Sequence, residues 1–145
     1  MTTICYSHKE GVIACDSRRV QDSTIITDNA NKTYEKGDTV FVLAGVTSDI
    51  QKLINDYPDL KGKYEVEGFM VKAGIVYSCN WETKPHEIVR TENDEALGSG
   101  YQHALTALDF GCSAKEAIEA AAKRDIFTGG KIRTIKTQNL QKSEY

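Results

Sequence analysis

The sequence predicts an α+β fold in which sheets lie between layers of helix. Two observations carry this reading. Segments with strand and helix patterning follow one another as strands, helix, strands, two helices, strand, so the helices are segregated and do not alternate with strands. The segment TVFVLA, residues 39–44, is apolar on both faces, so its strand should be covered on both sides. The 145 residues are the usual size of one domain and enough to bury a core without staples. We expect a single domain over 1–137 and a polar, frayed C-terminal tail over 138–145.

Each element has its own signal. Residues 2–7 alternate polar and apolar as a half-buried strand does, and GVIAC follows after a turn at Lys9, Glu10 and Gly11, which predicts a hairpin. STIIT, a polar turn, a short strand and a second turn at Lys36, Gly37 and Asp38 lead into TVFVLA. A helix is predicted over 47–57, with a Ser48/Asp49 start, Ile50, Leu53, Ile54 and Tyr57 on one face, and Pro58 as the stop. DLKGKYEVEG is a polar connector. FMVKAGIVYSCN and HEIVRT read as strands joined by a turn through 81–85. A short apolar strand then meets a Gly-Ser-Gly turn. The helix after it carries Tyr101, Ala104, Leu105 and Leu108 on one face, with Gly111 as its C-terminal stop. SAKEAIEAAAKRD opens with a capping box, Ser113 and Glu116, and spaces Ala114, Ala117, Ile118, Ala121 and Ala122 along one face. TGGKIRTIKT returns as a strand.

Composition excludes several classes of function. The formal net charge is −3, so there is no electrostatic case for nucleic acid or an anionic membrane surface. The longest apolar runs are far too short to span a bilayer, and no charged-then-apolar leader precedes the first strand, so a cytoplasmic location is expected. Cys5, Cys15, Cys79 and Cys112 form no CxxC pair and suit no metal site, so they read as small hydrophobes, the first three in or beside apolar segments. His8, His86 and His103 are scattered among polar neighbours and read as surface residues. Neither metal nor cofactor is expected.

Taken singly, the remaining candidates are ordinary. Thr2 suits a strand, Lys32 suits an ion pair or a surface, Gly45 suits a strand end, and Ser99 suits a turn. Their order is what stands out. An N-terminal Thr, Asp-Ser-Arg after the second strand, a Lys in NANKTY, a Gly after the buried strand, Gly-Ser-Gly and RDIFTGG occur in one sequence. That order resembles proteasome β subunits and the HslV peptidase, N-terminal nucleophile hydrolases of the four-layer αββα sandwich fold, and it runs from Thr2 to about Thr137.

The resemblance implies a threonine-type endopeptidase. Met1 would be removed, as methionine before a small residue normally is. Thr2 would then be the nucleophile and its freed α-amine the general base, which is reasonable chemistry because an α-amine titrates near neutrality. Asp16 would orient Lys32, whose ammonium would lower the pKa of the nucleophile and its amine, with Arg18 helping to hold Asp16. Gly45 would offer its N–H to the oxyanion. Ser99, Asp125 and Thr128 would close the constellation around the amine, a threonine standing at 128 for the commoner serine. Leu43 would floor the substrate pocket, implying cuts after hydrophobic residues, while Arg19, which could change that preference, Val20, Ala30 and Thr47 fall at neighbouring pocket positions. The implied partners are a polypeptide or peptide substrate, further copies of the chain in a self-compartmentalised ring, and an ATP-dependent unfoldase.

The chain departs from the family pattern in one large respect. Two long helices normally separate the Gly45 segment from the next strand, whereas here only 47–57 is helical, so one helical layer should be short. Cys15 also stands where HslV has glycine. Two other functions compete. One is a non-catalytic assembly subunit of the same fold, which a retained Met1 would favour. The other is an N-terminal nucleophile amidohydrolase acting on short peptides or small molecules.

Overall fold

A computed structural model describes residues 1–137; the expected tail over 138–145 lies outside the described residues. One sheet has the order β10 (Glu95–Gly98), β1 (Thr3–Ser7), β2 (Val12–Cys15), β11 (Arg133–Lys136), antiparallel throughout. A second has the order β5 (Thr33–Lys36), β6 (Thr39–Gly45), β7 (Val66–Lys72), β8 (Ile75–Asn80), β9 (Glu87–Arg90), also antiparallel. A small hairpin, β3 (Arg19–Gln21) and β4 (Thr24–Thr27), stands apart from both. The helices are α1 (Thr47–Asp56), α2 (Tyr101–Asp109) and α3 (Ala114–Arg124).

Strand periodicity builds the layers. In β1 and β2, Ile4, Tyr6, Ile13 and Cys15 face one way and meet Val40, Val42, Ala44, Phe69 and Val71 of the second sheet. The alternate residues Cys5 and Ala14 face the other way, against Ala104, Leu108, Ala114, Ala117, Ile118 and Ala121 of α2 and α3. On the far side of the second sheet, Phe41 and Leu43 pack with Ile50 and Leu53 of α1 and with Tyr64 and Trp81. The result is helix, sheet, sheet, helix. Strand β6 is buried on both faces, as its unbroken apolar run requires. Each fully buried Ile, Phe or Leu at these interfaces stabilises the fold by roughly 1.5–3 kcal/mol.

Several local expectations need correction. FMVKAGIVYSCN is two strands, because Ala73 and Gly74 turn the chain at φ 53° and 75°. The polar connector ends early: Tyr64 and Val66 are buried, and β7 already starts at Val66. Helix α1 has Val46 before its first residue and no side-chain cap, since Asp49 accepts a hydrogen bond from the Glu65 N–H (2.8 Å) and so ties the helix to the start of β7. Tyr101 and Ala122 point outward although their spacing suited the buried faces. His86 is half-buried, its Nε2 2.7 Å from the Gly62 carbonyl oxygen. The capping box of α3 is present in both directions, with Glu116 N–H to Ser113 Oγ at 3.1 Å and Ser113 N–H to Glu116 Oε1 at 2.8 Å. The short helical layer is as expected: α1 has 10 residues, and no second helix follows it before β7.

Candidate active site

Thr2 immediately precedes β1 and is buried, 6% exposed, whereas Met1 beside it is 68% exposed. Its carbonyl accepts a hydrogen bond from the Ser99 N–H at 2.8 Å. That approach depends on Gly98, whose φ is +97° and where a Cβ would lie 1.7 Å from the Thr2 carbonyl oxygen. The Gly-Ser-Gly turn therefore has a physical purpose: it lets β10 close directly on the first residues of β1.

On one side of this segment lies a buried ion pair. Lys32 Nζ is 2.8 Å from Asp16 Oδ1, 2.7 Å from the Arg18 carbonyl oxygen and 3.3 Å from the Met1 carbonyl oxygen. Asp16 is 1% exposed and accepts further bonds from the N–H groups of Thr3 (3.3 Å), Gly129 (3.1 Å) and Arg18 (3.4 Å). Four donors on one carboxylate fix it in place, and the carboxylate in turn aims Lys32 at residues 1 and 2. Arg18 helps hold Asp16 as expected, though not through its guanidinium. The guanidinium pairs with Asp28 at 2.9 and 3.1 Å, and Arg18 holds Asp16 through its backbone N–H only.

On the other side, Ser99 Oγ and Thr128 Oγ1 each donate to Asp125 Oδ2 at 2.6 Å. Because the Thr128 proton is committed to Asp125, the 2.6 Å contact between Thr3 and Thr128 hydroxyls must have Thr3 as donor, and Thr3 Oγ1 accepts from the Gly100 N–H at 2.9 Å. A directed chain of hydrogen bonds thus runs from the turn through β1 to Asp125. Burial alone would raise the Asp125 carboxyl, but the bonds from Ser99, Thr128 and the Phe127 N–H outweigh it and hold the carboxyl below its ordinary pKa. Thr3 was not a sequence candidate. The alternation of residues 2–7 marked it only as a strand residue.

Two clefts meet at Thr2. The larger, about 500 Å³, is lined by Thr2 and Lys32 together with Arg19, Val20, Leu43, Gly45 and Thr47. The smaller, about 310 Å³, is lined by Thr2, Gly45, Gly98 and Ser99 among others. Gly45 borders both. Its φ is +150°, and a Cβ there would lie 2.1 Å from the Glu65 carbonyl oxygen, so no other residue fits. Ala30 is the one expected pocket residue outside the lining: it is buried, with its N–H on the Ser17 carbonyl and its own carbonyl on Arg133. Among the described residues, no group of three His, Cys, Asp or Glu side chains could hold a metal ion, and no helix is long and apolar enough to cross a membrane.

Burial, then the nearby Lys32 charge, lower the pKa of the Met1 amine from 8.0, with Asp16 and Asp125 pulling the other way. Burial, with help from Lys32, therefore favours the neutral form of the Met1 amine.

No protein-family model and no curated protein sequence matches this chain at a significant level. Solved structures share its fold. BPH of Thiobacillus denitrificans, determined in complex with epoxomicin, superposes with a TM-score of 0.70 at 13% identity, over 92% of this chain and 97% of that one. BPH without that ligand gives 0.69 at 14% identity, over 92% and 96%. Eukaryotic HslV from Trypanosoma brucei gives 0.69 at 18% identity, over 92% and 98%. The chain therefore has the HslV-type αββα fold that the order of its motifs implied.

Proposed function

We propose that the chain, once Met1 is removed, is a threonine-type peptidase with Thr2 as nucleophile. The observation that carries this is the aim of Lys32: an ammonium fixed by a buried carboxylate and a backbone carbonyl, and directed at the peptide group joining residues 1 and 2. The third contact completes the three donors of the ammonium and brings its charge to the segment that carries Thr2. The HslV-type fold supports the same reading, and so does a neighbour of that fold determined with epoxomicin.

In this mechanism the Thr2 hydroxyl attacks the scissile carbonyl carbon while its proton passes to the Thr2 α-amine. The oxyanion that forms is met by the Gly45 N–H. The C–N bond then breaks, the amine proton goes to the leaving nitrogen, and an ester remains on Thr2. Water adds to that ester, giving its proton to the same α-amine, and the Oγ leaves with a proton as the carboxylate product departs. Lys32 favours the attacking oxygen electrostatically. Ser99, Asp125 and Thr128 hold the amine's hydrogen-bonding surroundings, and Asp16 positions Lys32. The working form is a homo-oligomeric ring that hides Thr2 from folded proteins and is supplied with polypeptide by an ATP-dependent unfoldase.

The test is intact mass before and after incubation with a peptide epoxyketone, a reagent whose cyclic adduct requires a free α-amine next to the hydroxyl. Loss of one methionine and one stoichiometric adduct per chain is the expected result. A full-length mass with no adduct would instead support a non-catalytic assembly subunit, because a retained Met1 blocks the amine.

A further inference from the structure

We propose that the cleft on the Arg19 side of Thr2 takes an acidic side chain, so that the chain cuts after glutamate or aspartate; this rests on Thr2 being the nucleophile. The cleft is lined by three cations, Arg18, Arg19 and Lys32, and by no Asp or Glu. Two of these cations are already neutralised from outside the cleft, Arg18 by Asp28 at 2.9 Å and Lys32 by Asp16 at 2.8 Å. Arg19 is exposed and forms no ion pair among the described residues.

The backbone that carries Arg19 is fixed. The preceding residue, Arg18, is held by its carbonyl on Lys32 Nζ at 2.7 Å and by its guanidinium on Asp28 and the Ile126 carbonyl. Arg19 itself begins β3, paired with Thr27. Its charge is felt across the cleft. Burial raises the Tyr34 hydroxyl and Arg19 acts against that rise, and Arg19 also adds to the lowering of the N-terminal amine, behind burial and Lys32.

Leu43 and Val20 offer apolar wall to the stem of a glutamate. An entirely apolar side chain would shed water from the Arg19 guanidinium without offering it an acceptor. A carboxylate at the same depth supplies the missing partner. The opposite side of Thr2 reinforces the choice, since the smaller cleft is lined by Glu65, Glu67 and Glu82. An acidic side chain is repelled there and directed to Arg19.

Binding separates this proposal from catalysis. The Thr2→Ala chain, which lacks the reactive hydroxyl, is titrated calorimetrically with acetylated tripeptide amides ending in Glu, Leu or Arg. The Glu peptide should bind about tenfold more tightly than the Leu peptide, equivalent to ~1.4 kcal/mol. The advantage should shrink at about 0.5 M salt, where exposed charges are screened. Arg19→Glu should put the Arg peptide first, and Arg19→Gln should abolish the Glu preference. Equal affinity for Glu and Leu, no binding of the Glu peptide, or an order unchanged by Arg19→Glu would overturn the proposal. The nucleophile reading fails on a separate observation, the absence of an epoxyketone adduct on the unsubstituted chain.

Discussion

Lys32 is buried with Asp16, and its ammonium reaches the first peptide group of the chain. Two consequences belong to this scale. Removing one partner of a buried pair leaves the other charged and uncompensated, so Lys32→Ala should lose about 3–5 kcal/mol of stability as well as adduct formation. The pH dependence has a definite sign. A base must be neutral to accept the hydroxyl proton, so a lowered amine pKa extends activity toward lower pH. Burial and Lys32 already take the Met1 amine below 8.0, and the Thr2 amine sits one residue deeper, at a residue 6% exposed against 68%. The acidic limb of kcat/KM should therefore fall below pH 8.0. Replacing Lys32 by Met, which keeps the length without the charge, should move that limb upward in whatever activity remains. A limb at or above 8.0 that Lys32→Met leaves in place would show that Lys32 does not tune the base.

At the scale of elements, the site depends on a turn more than on a helix. Gly98 allows β10 to approach the Thr2 carbonyl, so Gly98→Ala should push Thr2 away from Ser99 and abolish adduct formation. Overpacking of this kind typically costs about 1–3 kcal/mol. Ser113→Ala provides the contrast, because it breaks only the capping box of α3. It should cost about 1 kcal/mol in denaturant unfolding and leave adduct formation intact. Equal loss of adduct in both variants would mean that global stability, and not the turn, controls Thr2. The same elements explain what the sequence could convey. The capping box, the β6 run and the Gly-Ser-Gly turn are local chemistry, and each was legible from residues a few positions apart. Thr3 and the split of FMVKAGIVYSCN were not. The role of Thr3 depends on Thr128 at a sequence separation of 125, and the split depends on Ala73 accepting a φ of 53°, a conformation its side chain does not advertise. The pairing of the Arg18 guanidinium with Asp28 was not legible for a related reason: which carboxylate a long side chain reaches is decided by the path of the β3–β4 hairpin.

At the scale of the whole molecule, the two most exposed large hydrophobic side chains among the described residues lie at the ends of α2 and α3. Phe110 at the end of α2 is 86% exposed, and Ile126 just after α3 is 73% exposed. Single exposed hydrophobes are ordinary in a monomer, but these flank the helical layer that is complete, while the opposite layer is reduced to the 10 residues of α1. If copies of the chain assemble through α2 and α3, assembly survives the missing second helix on the α1 side, and the short layer is free to form a rim or to meet a partner. The chain should then elute in size exclusion far above its 16.1 kDa mass, and Phe110→Asp should shift it toward that mass without unfolding it, since the residue is almost fully in water. Elution of the unsubstituted chain at 16.1 kDa would exclude the ring. The two clefts that meet at Thr2 would then open directly to solvent, and the proposed selectivity would rest on the Arg19 cleft alone.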